Sequence, residues 1–309
     1  MNTSYAKLRF FDEKEATDYI AACEKRFRDS VISAAEQLHA VSGLRLIGLS
    51  GPTCAGKTTT AKILVGRLEA LGHRVHMISV DDFFREQPQA RDKKVGEEGE
   101  HIDFDSIDAL DFGCFERCIS ELMHTGRAEM PLFDLSQGKR IGTHLVAAEH
   151  DSDLFVVEGI QVVYPEISAL LRRYTYRSVY CDVESILHAD GALYQPEELR
   201  LMRRLVRDYY FRASDAEFTF YLWQSVRENE IRSILPNVAS CDIHLNTQME
   251  YELGMLRPHL EIVLGQLPEN SVYQSRAQEI LAKLPELTPL RSAQLPDEAL
   301  YREFVPIQK

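Results

Sequence analysis

The stretch Gly51-Pro52-Thr53-Cys54-Ala55-Gly56-Lys57-Thr58 sets two glycines around a short loop and follows them with a lysine and a hydroxyl residue. Residue types in this order can cradle a chain of phosphates. Glycine lets the backbone curl until successive N–H groups face one anion. A helix that starts where the loop ends adds its unpaired N–H groups and the positive end of its dipole. Lys57 can reach the β- and γ-phosphates and Thr58 can bind Mg²⁺, with Gly51, Thr53, Cys54, Ala55, Gly56 and Thr59 as the rest of the cradle. A chance match on a surface turn is the competing reading. The flanks argue against it: Leu44-Arg45-Leu46-Ile47-Gly48-Leu49 reads as a buried strand, and residues 59–68 read as an amphipathic helix.

Ligands of open α/β sheets bind beyond the carboxyl ends of the strands. Asp81-Asp82 ends one apolar run and Glu158-Gly159 ends another, so acidic groups are expected beside the loop. Carboxylates there can hold a metal or accept a proton from an attacking hydroxyl. Asp81 suits the base and can touch the metal shell; Glu158 suits the metal. The alternative is that Asp81 and Asp82 cap a turn. Further on, Arg200, Arg203, Arg204 and Arg207 fall on or near one helical face, and Arg212 follows. They read either as a solvated basic face or as a lid that places guanidinium groups on a phosphoryl group in flight. Asp103-Phe104-Asp105 and Pro131-Leu132-Phe133-Asp134 could stack on a ring and accept from hydroxyls, although Phe104 reads equally as core and the Asp pair as a cap.

The elements that must position these groups follow from periodicity. Residues 13–41, 106–124, 198–211, 216–234, 249–266 and 273–284 read as helices. Residues 75–80, 154–157, 176–181 and 242–245 read as strands, the wholly apolar 154–157 as one buried on both faces. Residues 85–101 are polar and read as an excursion from the core. Strands alternating with helices predict a parallel α/β sheet. The expected organisation is an N-terminal helical extension (1–43), a core (44–248, lid about 198–215) and a C-terminal helical extension (249–309).

The chain has 309 residues, 45% of them hydrophobic and 27% charged, which suffices for a full core without disulfides or structural metal. A net charge of −13 argues against nucleic acid or an anionic membrane as the main partner. The six cysteines are scattered with no CxxC pair, as for thiols in a reducing cytosol, and Cys54 lies inside the loop, where oxidation would bear on anion binding. No signal peptide or stretch of about 18 apolar residues is found, so a cytoplasmic protein is expected.

The ordered set resembles the uridine kinase/phosphoribulokinase family of phosphate-loop kinases. The match runs through residues 51–58, Ser79-Val80-Asp81-Asp82-Phe83-Phe84, Asp103-Phe104-Asp105, residues 131–134 with Gly138-Lys139-Arg140, Val157-Glu158-Gly159, and residues 200–208, spanning about two thirds of the chain. Trp223-Gln224-Ser225-Val226-Arg227, Ile234-Leu235-Pro236, Tyr251-Glu252-Leu253 and Arg302-Glu303-Phe304 resemble its bacterial uridine-kinase-like branch, whose longer members carry a threonyl-tRNA-synthetase-like N-terminal region; this chain is expected to start near the kinase core.

The resemblance implies a P-loop NTPase-type three-layer α/β/α fold with a mostly parallel sheet, an arginine-bearing helical lid and extra terminal helices. It implies ATP and Mg²⁺, with Asp81 as base, Lys57, Arg204 and Arg207 as catalytic partners, and Arg212 as a further lid arginine. Phe84, Phe104, Asp105 and Phe133 would line the pocket of a nucleoside-like hydroxyl acceptor. A homo-oligomer is compatible with this. The family commonly has tyrosine where Phe84 and Phe133 stand, and its second Arg-Gly-Arg arginine is Ser214 here. A sugar or phosphosugar kinase, or a nucleotide-binding regulatory protein with a diverged acceptor site, is the alternative.

Overall fold

The computed structural model describes residues 2–86, 106–135, 137–150 and 152–307. The chain opens with β1 (Asn2–Tyr5) and the long helix α1 (Glu13–His39), then runs β2 (Leu46–Ser50), α2 (Lys57–Ala70) and β3 (Val75–Ser79). Helix α3 (Phe112–Thr125) leads into a hairpin of β4 (Arg127–Asp134) and β5 (Lys139–Ala147), followed by β6 (Leu154–Glu158), α4 (Pro165–Leu171) and β7 (Tyr176–Asp182). Strands β8 (Ser185–Ala189) and β9 (Ala192–Tyr194) precede α5 (Pro196–Arg212), α6 (Ala216–Asn229), α7 (Leu235–Val238) and β10 (Ile243–Asn246). Helices α8 (Glu252–Leu264) and α9 (Gln274–Lys283) are followed by a turn at Leu300–Glu303.

The central sheet has the order β10-β7-β2-β6-β3, and every pairing in it is parallel. The inner strands β2 and β6 are largely apolar on both faces because helices cover both, whereas the edge strands β3 and β10 are partly exposed. The two-residue period of a strand divides them cleanly. Ile47, Leu49, Leu154 and Val156 face a cluster built with α1, α2, α5, α6 and α8, whereas Leu46, Phe155 and Val157 face one built with α3, α4 and β4. The result is the three-layer α/β/α arrangement. The chain leaves β2 for β3 on one side and later crosses to β7 on the other, so the sheet's topological switch lies at the carboxyl end of β2, where a ligand crevice opens.

Several elements differ from the sequence expectation. The hairpin β4–β5 and a small sheet of β1, β8 and β9 are not marked by the periodicity. Most of β5 is exposed on both faces, so it carries no apolar alternation to read. The helix expected over 106–124 begins at Phe112, because Asp111 caps it by accepting from the Cys114 N–H (3.0 Å). The helix expected over 216–234 ends at Asn229 and widens into a π-turn at Glu230–Ile234. Among the described residues, no helix is long and apolar enough to cross a membrane.

Candidate active site

The loop between β2 and α2 is shaped by its neighbours. A Cβ on Gly51 would lie 2.1 Å from the Cys181 carbonyl oxygen of β7, so only glycine lets the loop leave the sheet here. Gly56 starts α2 at φ +82°, a left-handed conformation that side chains resist. Cys54 also sits at positive φ (59°), an uncommon geometry for a residue other than glycine. Its thiol is buried (3% exposed). Lys57 Nζ donates to the carbonyls of Gly51 (2.9 Å) and Pro52 (3.1 Å). Thr58 is exposed at the start of α2, while the Thr60 hydroxyl turns back to the Gly56 carbonyl at 2.8 Å.

Pairing register sets the acidic groups level with the loop. Glu158 lies opposite Leu49 of β2 on one side and Ser79 of β3 on the other. Asp81 stands in the short 3-10 turn Val80–Phe83, whose start the Ser79 hydroxyl caps by accepting from the Asp81 N–H (3.3 Å). Burial, and then the nearby Glu158 carboxylate, hold the Asp81 carboxyl up at about 6, against the pull of Lys57 and Arg212. Burial likewise raises Glu158, with Lys57 opposing and Glu303 adding to it. Two desolvated carboxylates, one of them raised further by the other, beside an exposed threonine hydroxyl are a donor set that a hard divalent cation would relieve. Asp82 instead accepts from the Phe133 N–H (3.1 Å), so it ties β4 to this turn.

The arginine stripe of α5 divides into two groups. Arg200 and Arg203 are the interior pair, with side chains 1% and 0% exposed. Arg200 pairs with Asp182 (3.0 Å) and Glu230, and donates to the Thr53 carbonyl (3.4 Å). Arg203 pairs with Glu252 (2.9 Å) and donates to Tyr301 Oη (3.1 Å), the Thr247 carbonyl (3.0 Å) and the Cys54 carbonyl (3.4 Å). These two residues therefore hold the outward carbonyls of the phosphate loop. Because the peptide is planar and trans, tying down the Thr53 carbonyl turns the Cys54 N–H to the opposite side of the loop. Arg204, Arg207 and Arg212 gather instead on Asp208, at 3.1, 2.6 and 3.8 Å. The charge of Arg212 is felt at Asp81, and its own side chain is 59% exposed.

Of the expected acceptor residues, Phe84 and Phe133 come together edge to face with centroids 5.9 Å apart. Phe84 is buried against the α3 layer and bridges to Leu110. Phe104 and Asp105 lie outside the described residues. Asp111 caps α3 and pairs with Arg140 at 2.9 Å. Sequence reasoning gave no role to Glu303, whose carboxylate accepts from the Thr59 hydroxyl at 3.1 Å across 244 positions of chain, and no local pattern signals such a contact. Nor did it assign Asp208 as the hub of the outer arginines, although Asp208 stands in the same motif.

Comparisons with known proteins fit this geometry. Over 225 residues the chain is 25% identical to a uridine kinase of Lactobacillus helveticus, covering 72% of this chain and 96% of the relative. Over 173 residues it is 29% identical to a uridine kinase of Schizosaccharomyces pombe, covering 56% of this chain and 33% of that relative. The chain thus spans about a third of the fission-yeast protein and nearly all of the bacterial one. A Silicibacter sp. TM1040 protein described as a fructose transport system kinase superposes with a TM-score of 0.50 at 19% identity, over 69% of this chain and 98% of that one, a likeness of fold. The sequence model of the phosphoribulokinase / uridine kinase family matches residues 46–252, the stretch that holds the loop, both acidic strand ends and the arginine helix. The chain belongs to that family.

Proposed function

We propose that the chain is an ATP-dependent kinase that transfers the γ-phosphoryl group to a hydroxyl of a small, nucleoside-like acceptor. The observation that carries this is the position and state of Asp81: a half-buried carboxyl held up at about 6, beside Glu158 and the phosphate-loop lysine. A general base is most effective when its affinity for protons lies near the working pH.

In this reading the loop N–H groups, Thr59 and Lys57 hold the phosphates. Thr58, Glu158 and Asp81 would hold Mg²⁺, which when bound supplies charge neutralisation on the phosphate oxygens. Among the described residues no three His, Cys, Asp or Glu side chains converge as a metal cage, in keeping with an ion that leans on phosphate oxygens and water. Asp81 takes the proton of the acceptor hydroxyl, the freed oxygen forms a bond to the γ-phosphorus, and the bond to the β–γ bridging oxygen breaks to release ADP. Arg204, Arg207 and Arg212, already desolvated or gathered by Asp208, would turn their charge onto the phosphoryl oxygens in transfer. The acceptor would lie against Phe84 and Phe133, completed by Phe104 and Asp105.

The test is coupled ADP release across a panel of nucleosides, sugars and phosphosugars, with Lys57→Ala as the blank. Asp81→Asn should keep ATP binding and lose about 10²-fold or more in turnover. Near-normal turnover in that variant removes Asp81 from the base role. Acceptor-independent ATP binding with no productive acceptor would favour a nucleotide-sensing protein instead.

A further inference from the structure

The C-terminal segment reaches the phosphate loop from the far end of the chain. Leu300, Tyr301, Phe304 and Val305 are fully buried around the turn Leu300–Glu303. A Cβ on Gly56 would lie 2.7 Å from Leu300 Cδ1, so the second glycine of the loop is also pinned by this turn. The turn is fixed at several points. The Leu300 N–H donates to Glu24 of α1 (2.9 Å), and Tyr301 Oη bonds Glu252. Arg203 stacks on Tyr301 and Phe304 (5.2 and 5.3 Å) while donating to the Cys54 carbonyl. One guanidinium thus clamps both the loop and the turn.

With its backbone held, the turn presents Glu303 to the first turn of α2, where its Oε2 accepts from Thr59 Oγ1 at 3.1 Å. Its charge adds to the raising of Glu158 and of Arg207, so it lies within electrostatic reach of the acidic end of β6 and of the arginine helix. An anion is favoured at that helix start for the same reason that a phosphate is. The mechanism above makes no use of this carboxylate.

We propose that the turn Leu300–Glu303 is a fixed wall of the donor site, and that the Glu303 carboxylate competes with the incoming phosphates for the first turn of α2. This rests on the reading of residues 51–58 as the triphosphate site. A triphosphate engaging Thr59 must displace the carboxylate, which rotates on its side chain while the turn stays in place. Glu303 therefore weakens donor binding and limits how long the nucleotide is retained.

The experiment is calorimetric titration of wild type, Glu303→Gln and Lys57→Ala with MgATP and with inorganic tripolyphosphate. Gln is isosteric and still accepts from Thr59, and an unchanged melting temperature checks that the turn is intact. The expected result is MgATP and tripolyphosphate binding about three- to ten-fold tighter in Glu303→Gln, the size of one like-charge contact at the protein surface. The gain should shrink between low and high salt. Weaker or unchanged binding in Glu303→Gln, with wild type binding normally and Lys57→Ala not, overturns this inference and leaves the donor site standing. Failure of wild type to bind either ligand overturns both.

Discussion

Removing Arg203 should damage the fold and the phosphate loop together. Its side chain and that of Glu252 are both 0% exposed, and their ion pair is 2.9 Å long. Arg203→Met keeps the apolar stem but leaves Glu252 as an uncompensated interior charge, which costs about 3–5 kcal/mol. At an unfolding entropy of about 2.1 cal/mol/K per residue, that lowers the melting temperature of a chain this size by about 5–8 °C. The Cys54 carbonyl also loses a donor, so ATP binding should weaken beyond what the stability loss explains, measured well below the transition. Neutralising the orphan with Arg203→Met/Glu252→Gln should recover at least half of the melting temperature but not the ATP affinity, because the loop contact is still missing. Scanning fluorimetry and calorimetric titration read the two effects separately. A melting temperature within about 1 °C of wild type for Arg203→Met, or a double variant no more stable than the single, would refute a buried buttress and return Arg203 to an ordinary lid role.

Two more outcomes follow from the site. The acid limb of kcat/KM should bend near pH 6, because in the proposed mechanism Asp81 must be ionised to accept a proton and the free protein holds it up at about 6; rates rise as pH passes upward through that value, and a limb below about pH 4.5, near an unperturbed aspartate, would contradict this. The same shift means that ionised Asp81 costs stability above about pH 6, a cost that vanishes below its unfolded value. Phe133→Ala should raise the KM of the acceptor while leaving the dissociation constant of ATP unchanged, since its ring meets Phe84 where the proposed acceptor pocket lies; equal effects on both ligands in steady-state and titration assays would place Phe133 elsewhere.

What the sequence by itself determined are the local, periodic features. The loop 51–58, the strands beside it and the acidic residues at their ends follow from glycine geometry, apolar runs and the rule that ligands sit at the carboxyl ends of parallel strands. Each needs a window of ten residues or fewer. The family was legible because those windows occur in one order.

The assignment of the arginines was decided only in three dimensions. Arg200, Arg203, Arg204 and Arg207 form one helical stripe, and a charged stripe ordinarily faces water. Here all four are buried, Arg200 and Arg203 most deeply, because Asp182, Glu230 and Glu252 from three separate segments, and Asp208 on the helix itself, supply the counter-charges that make burial tolerable. The meeting of Phe84, just after the Val80–Phe83 turn, with Phe133 of β4 and of Glu303 with Thr59 are likewise long-range contacts. Such contacts leave no trace in local periodicity, since they depend on which faces of distant elements pack together.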